Sequence, residues 1–406
     1  MFSKQKIDTD PAKVERLLTR GVTEVINREH LRAALLSGKQ LRVKLGFDPT
    51  GAKIHIGRAI ILRKLREFQD LGHKVVFIVG DFTAKIGDPS DKLDKRPQLT
   101  DKQIQENIKN YKEQVGKIID VRKAEFVFNS KWLAELKMAD LLELQHVFSV
   151  NQMLARRNFA DRLEKHGEIG LYETSYPLMQ GYDSVAVKSD VEIGGFDQLF
   201  NLKAGRLMQQ HFGQLPQDIL TGEMLEGTDG RKMSTSWGNV INITDAPNDM
   251  FGKVMSIADG LIQKHFLLCT DLSWEEIRNI ESLNPKDQKI RLAHEIVKLY
   301  HGSASSPQAG EKAAQAAEAE FVRVFSQGNV PTDIQEIVVD AHAMNLVELL
   351  MLAQMAVSKS EARRLVEQGG VRINEVKKTD PGETIAIDNG MLLQVGPRRF
   401  VKITRR

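Results

Sequence analysis

The chain has 406 residues, 27% of them charged and 41% hydrophobic, with a formal net charge of +3. Its one cysteine, Cys269, excludes an intramolecular disulfide and any cysteine-cluster metal site. No apolar run is long enough to span a bilayer, and Met1 to Lys6 lacks the apolar core of a signal peptide, so a cytoplasmic, reducing setting is expected.

At about 150 residues per domain, two or three domains are expected. Charge is uneven along them. From Met351 to Arg406, 11 Lys and Arg stand against 6 Asp and Glu, while the first 350 residues carry 46 against 48. A basic tail on a near-neutral body points to a polyanionic partner for the tail.

Residues 11–38 read as two helices, marked by Val14, Leu17 and Leu18 and by Leu31, Ala34 and Leu35, and stopped by Gly21 and Gly38. Leu41-Arg42-Val43-Lys44-Leu45 alternates as a strand does, and Ile61, Leu65 and Phe68 have helical spacing. Between them lies Gly46-Phe47-Asp48-Pro49-Thr50-Gly51-Ala52-Lys53-Ile54-His55-Ile56-Gly57-Arg58, a turn that ends at a helix start. A helix start offers unpaired N–H groups and partial positive charge, so it can hold an anion. Val75 to Val79, closed by Gly80, fits a strand buried on both faces of a parallel sheet, which completes a βαβ unit.

From Thr100 the pattern is a long polar helix, Glu125 to Phe128 a strand, and 131–170 mostly helix with a break near Gly167. Tyr176 to Val185 continues as a helix with Pro177 in its first turn. Gly194-Gly195 reads as a turn, 197–210 as a helix, and Gly230 to Ser236 as a polar loop. Residues 247–300 read helical, 302–307 as a linker and 313–325 as a helix; Gln327 to Pro331 is the best domain boundary. In the tail, Ser358-Lys359-Ser360-Glu361 has the spacing of a capping box, Gly369-Gly370 ends that helix, and Val371 to Asn374 is a short strand.

The expected fold class is α/β: a Rossmann-like parallel-sheet domain with a helical insertion over 1–245, an α-helical domain over 246–330 and a small α+β domain over 338–406. His55-Ile56-Gly57 resembles the His-Ile-Gly-His signature of class I aminoacyl-tRNA synthetases, and the preceding Gly-Phe-Asp-Pro-Thr narrows the resemblance to the tyrosyl branch. Lys232-Met233-Ser234-Thr235-Ser236 resembles the same family's mobile Lys-Met-Ser-Lys-Ser loop. Arg42 to Gly46 resembles a bacterial subgroup with lysine where many tyrosyl enzymes have tyrosine, and the tail resembles the RNA-binding fold first known from ribosomal small-subunit protein four.

The resemblance implies roles, residue by residue. ATP would meet Gly46, Asp48, Thr50, His55, Gly57, Gly195, Asp197, Lys232, Met233 and Ser234. His55, Arg58, Lys92, Arg96 and Lys232 would stabilise the α-phosphate and the leaving pyrophosphate. Arg58 stands where the family has its second histidine, and either serves phosphate or forms a salt bridge on the helix surface. Thr235 replaces the loop's second lysine, so Arg231, Lys92 and Arg96 are candidates to compensate. Tyr176, Gln180 and Asp183 share a helix face at i, i+4 and i+7. By resemblance Tyr176 and Gln180, with Asp88 and Gln198, take tyrosine's ammonium, and Asp183 its phenol. Lys44 either pairs with Asp183 or lies on the strand's outer face.

Lys359, Arg363, Arg364 and Arg372 would ride on an RNA backbone. The implied activity is tyrosine–tRNA ligation, with ATP, Mg²⁺, L-tyrosine and tRNA(Tyr) as partners, no membrane, and a homodimer whose interface apolar helices near 141–148 could supply. The alternatives are a tryptophan–tRNA ligase of the same fold and a synthetase-derived RNA-binding protein that no longer catalyses.

Overall fold

The computed structural model describes residues 6–88, 99–302, 306–325, 334–396 and 399–406. The chain separates into two compact units, Met1–Gln315 and Ala316–Arg406.

The first unit is built on a six-stranded sheet: β1 (Val22–Ile26), β2 (Arg42–Phe47), β3 (Lys74–Val79), β4 (Glu125–Phe128), β5 (Val191–Gly195) and β6 (Asp218–Gly222). The order across the sheet is β1-β6-β5-β2-β3-β4. Neighbours run parallel except β1, which pairs antiparallel with β6. The expected central strand is fully sequestered, with Val75 to Val79 all buried. Helix α1 (Ile56–Asp70) links β2 to β3 and buries Ile56, Ala59, Leu62, Leu65 and Phe68 against the sheet. From β2 the chain builds outward through β3 and β4, then returns to the other side of β2 as β5. That reversal opens a crevice at the carboxyl ends of β2 and β5, where open α/β sheets place their ligands.

Helices α2 (Tyr176–Val187) and α3 (Leu199–His211) pack together over this half of the sheet. The helices Pro247–Met255, Ile262–Cys269, Trp274–Glu281 and Pro285–His301 follow, with Phe251, Phe266, Ile296 and Val297 buried.

Several local expectations are corrected. The two opening helices, Pro11–Thr19 and Arg28–Leu36, are separated by strand β1. The polar helix after Thr100 is two helices, Asp101–Ile108 and Tyr111–Gly116. Gly194-Gly195 is the end of β5 and not a free turn. The polar–apolar alternation at 41–45 does not mark a solvent face, because Lys44 is as buried as Val43 and Leu45.

In the second unit a five-stranded sheet runs in the order Val376–Lys378, Val371–Ile373, Met391–Val395, Arg399–Arg405, Gln335–Val339. Helices Leu346–Leu352 and Lys359–Glu367 close its core through Leu346, Leu350 and Val366, packed in one cluster with Leu393 of the sheet. The Ser358 hydroxyl caps the second helix by accepting from the Glu361 N–H at 3.2 Å. The other half of the expected capping box is displaced by one residue: the Glu361 carboxylate accepts from the Val357 N–H at 2.7 Å. Gly369, at φ +67°, ends the helix in the left-handed region that glycine enters without strain. The boundary expected at 327–331 lies outside the described residues.

Candidate active site and RNA-binding face

A cavity of about 970 Å³ opens at the carboxyl ends of β2, β3 and β5. One wall is the turn from β2 to α1. Gln114 fixes that turn by accepting from the Ile54 N–H at 2.8 Å and donating to the Ala52 carbonyl at 2.7 Å. Gly46, Asp48, Thr50, His55, Gly57 and Arg58 all line the cavity.

His55 is the N-cap of α1, and its Nδ1 accepts from the Arg58 backbone N–H at 3.3 Å. The ring proton therefore sits on Nε2, free to donate. Burial, then Arg58 and Lys232, push the His55 pKa down to about 3, so the ring is a neutral donor at physiological pH. An unfolded chain binds a proton at His55 below about pH 6.5 while the folded chain does not. His55 therefore subtracts stability as pH falls from about 6.5 toward about 3. Replacing His55 with Asn keeps a capping acceptor and removes the titration. The thermal midpoint of this variant, followed from pH 7 to 4, is expected to fall less steeply than the parent's. In stability, the difference should reach about 3 kcal/mol by pH 4.

Among the described residues Arg58 has no partner for the surface salt bridge that its helix position allowed. It donates to the Thr50 hydroxyl at 2.9 Å and to the Tyr111 hydroxyl at 3.4 Å. Its guanidinium lies 5.7 Å from the centre of the Phe47 ring.

Tyr176, Gln180 and Asp183 reach the cavity from one face of α2. Asp183 is 4% exposed; Trp132 Nε1 donates to one oxygen at 2.8 Å and Asn129 Nδ2 to the other at 3.3 Å. Burial raises its pKa to about 7, against the opposing pull of Lys44 and these two donors. Asn129 also donates to the Thr83 hydroxyl at 3.0 Å, Thr83 donates to Asp48 at 2.7 Å, and Tyr176 donates to the other Asp48 oxygen at 2.9 Å. One chain of hydrogen bonds thus ties Asp183 to Asp48. Gly80 makes the room: a Cβ there would fall 2.0 Å from Asp48 Oδ1 and 2.4 Å from Thr83 Oγ1. Asp88 and Gln198 also line the cavity, and Gln198 donates to Asp88 at 2.6 Å.

Lys44 points inward and is 1% exposed, yet its ion pair is with Glu192 at 3.2 Å and not with Asp183. Trp132, Asn129, Thr83 and Glu192 were not foreseen from the sequence. Only Glu192 left a trace there, as an acid between Val191 and Ile193.

At the far end, Lys232 Nζ donates to Asp197 at 2.8 Å, and Gly195, Asp197, Met233 and Ser234 line the same wall. Thr235 also faces the cavity, but Arg231 does not take its place. Arg231 is paired with Asp229 and stands 4.6 Å over the Trp237 ring. Lys92 and Arg96 lie outside the described residues.

In the second unit Lys359, Arg363, Arg364 and Arg372 are all exposed, while Ala362 and Val366 bury the helix's other face. Lys359 approaches Glu348 at 3.7 Å, with both side chains largely in solvent.

The family model for class I tRNA synthetases (W and Y) matches residues 36–325, and that for the tyrosine–tRNA ligase SYY-like C-terminal domain matches 325–391. A tyrosine–tRNA ligase of Moorella thermoacetica is 44% identical, covering 98% of this chain and 97% of the relative. That of Thermotoga maritima is 45% identical over 97% and 98% of the two chains. The fold matches the tyrosyl-tRNA synthetase of Archaeoglobus fulgidus, solved with L-tyrosine, at a TM-score of 0.60 and 23% identity, covering 76% of this chain and 100% of that one. The chain belongs to the class I tRNA synthetases of the tryptophan and tyrosine group.

Proposed function

We propose that this protein is a tyrosine–tRNA ligase: it joins tyrosine to ATP as tyrosyl-adenylate, releasing pyrophosphate, and passes the tyrosyl group to tRNA(Tyr). The observation that carries the reading is a buried carboxylate, Asp183, at the closed end of a cavity whose other end is a phosphate-binding helix start. A phenol hydroxyl donates to Asp183, and an amino acid without one leaves that carboxylate poorly satisfied. Tryptophan offers a donor of different reach and a larger ring, so the two members of the group are told apart here. Tyr176, Gln180, Asp88 and Gln198 take the ammonium, and Lys44 supports the subsite from beneath.

Adenylate formation needs no nucleophile from the protein. The tyrosine carboxylate oxygen attacks the α-phosphorus, the bond to the β-phosphate oxygen breaks, and pyrophosphate leaves. The chain's work is alignment and charge stabilisation. Gly46, Asp48, Thr50 and Gly57 border the nucleotide, with Gly195 and Asp197 at its ribose. His55 donates from Nε2 to a phosphate oxygen, and Arg58 adds a cation in place of the family's second histidine. Lys232, flanked by Met233 and Ser234, leaves Asp197 to follow the departing pyrophosphate, and Lys92 and Arg96 assist it. Mg²⁺ enters with ATP as a substrate complex, held mainly by the phosphates.

Residues 1–245 carry this chemistry, 246–330 face the anticodon arm, and 338–406 hold the tRNA backbone. We place the protein in the cytoplasm and read it as a homodimer. The exposure of Met138, Leu142 and Phe212, around the Glu143–His211 contact, supports an interface there.

The test is charging: labelled tyrosine with ATP, Mg²⁺ and tRNA should yield acid-precipitable tyrosyl-tRNA. Transfer of tryptophan alone, or of neither amino acid, would overturn the reading. The tail is tested separately. Reversing Arg363, Arg364 and Arg372 to Glu should weaken tRNA binding by about 10- to 100-fold at moderate salt and flatten its salt dependence. Tyrosine-dependent pyrophosphate exchange by the same variant should stay at the parent's level.

A further inference from the structure

At the floor of the amino-acid end of the cavity, two opposite charges are buried in the sheet, and Glu192 lines that floor. Lys44 and Glu192 are registered partners on the parallel strands β2 and β5, and each is 1% exposed. Besides its 3.2 Å contact with Glu192, Lys44 Nζ donates to the Ser184 hydroxyl at 2.5 Å and to the Gln180 carbonyl at 3.1 Å. Those two α2 residues bracket Asp183. Glu192 accepts from the Gln180 side chain at 3.3 Å, from Ser184 at 3.2 Å and from Gln217. The network fits only because α3 carries glycine opposite it. A Cβ on Gly205 would fall 2.5 Å from both Gln217 Nε2 and Ser184 Oγ.

A buried ion pair of this kind adds little net stability over an apolar pair of the same volume. Its value has to be sought in what it does locally. We propose that the Lys44–Glu192 pair is a positioning device for tyrosine: it anchors Gln180 from below and balances the charge under Asp183, so that the phenol meets a charged oxygen. This rests on the tyrosine reading above and adds a tuning partner, Glu192, to it.

The groups facing Asp183 are Lys44 from β2, Glu192 from β5 and Tyr176 from its own helix, with the neutral donors Trp132 and Asn129 on the remaining side. Lys44 favours the ionised form of Asp183 and Glu192 opposes it. The two halves of one ion pair therefore have opposite signatures. An ionised carboxylate accepts the phenol's hydrogen bond more strongly than a protonated one, so tyrosine affinity falls as pH drops through the Asp183 titration. Lys44→Met should move that fall to higher pH and Glu192→Gln to lower pH, each by roughly 0.5–1 pH unit.

The experiment is calorimetric tyrosine affinity from pH 5 to 9, without ATP, for the full chain and both variants. Opposite displacements support the proposal. Displacements in the same direction, or weaker binding with an unmoved inflection, overturn it, because a merely structural role predicts the latter. Should the single variants fail to fold, Lys44→Met/Glu192→Gln removes both charges together. Because Lys44 acts on Asp183 more strongly than Glu192 does, the double variant should move the fall to higher pH, by less than Lys44→Met would, and lose affinity by about tenfold as Gln180 loses its anchor; an unmoved inflection or parent-like affinity would overturn the proposal. A parent that binds no tyrosine at any pH refutes the tyrosine reading itself, whereas a tyrosine-binding parent with unmoved variants refutes only this inference.

Discussion

Replacing Asp183 with alanine is expected to lower kcat/KM for tyrosine in pyrophosphate exchange by about 10²- to 10⁴-fold. Two losses add. The phenol gives up a hydrogen bond to a charged acceptor, worth about 1.5–3 kcal/mol. It also leaves water for a buried site without an acceptor, which costs about 1–3 kcal/mol more. Phenylalanine loses neither contribution, so discrimination collapses from the tyrosine side. Asp183→Asn is expected to be milder, at about 10- to 150-fold. Its amide oxygen can still accept, but its NH2 must face Trp132 Nε1–H or the Asn129 amide, which both donate in the parent. If the alanine variant kept the parent's kcat/KM for tyrosine, Asp183 would have no part in recognition.

Replacing Lys232 with alanine is expected to lower kcat for exchange by about 10²- to 10³-fold, the usual loss when one preorganised donor to developing charge is removed. Tyrosine affinity should stay within about twofold, because Lys232 lies across the cavity from Asp183 and bonds to Asp197. In the free protein Lys232 and Asp197 neutralise each other, and the phosphates must draw the lysine away. Removing it leaves Asp197 as an uncompensated charge beside the nucleotide, so the KM for ATP should rise as well. Single-turnover formation of tyrosyl-adenylate, with tyrosine binding measured in parallel, separates these effects. A kcat within threefold of the parent's would remove Lys232 from the chemistry.

The parts of this molecule legible in its sequence were those with a local signal. The β2–turn–α1 unit announced itself through Gly46, Pro49 and Gly57 and through the helical spacing after them. The i, i+4, i+7 row Tyr176, Gln180, Asp183 was readable because a helix turns neighbours in space into fixed intervals in sequence. The short strands were harder. β1, β5 and β6 have five residues each, too few for a period to stand out, and β5 hides behind a buried acid and two glycines. Lys44 stayed open between two readings for a related reason. A lysine between apolar neighbours normally marks a wet face, but here a partner from a strand far away in sequence pays for its burial. Trp132 and Asn129 could not be found at all, since nothing local ties them to a carboxylate about fifty residues later. Side chains that hold a site together from another part of the chain leave no periodicity behind.

The central claim is that a hydroxyl on an aromatic ring is read by one buried carboxylate next to bound ATP. The amino-acid dependence of pyrophosphate exchange tests it most directly, with tyrosine, phenylalanine and tryptophan supplied singly to the unmodified chain. The account predicts rapid exchange with tyrosine and at most trace exchange with the other two. Equal exchange with phenylalanine, or exchange driven by tryptophan in preference to tyrosine, would contradict it.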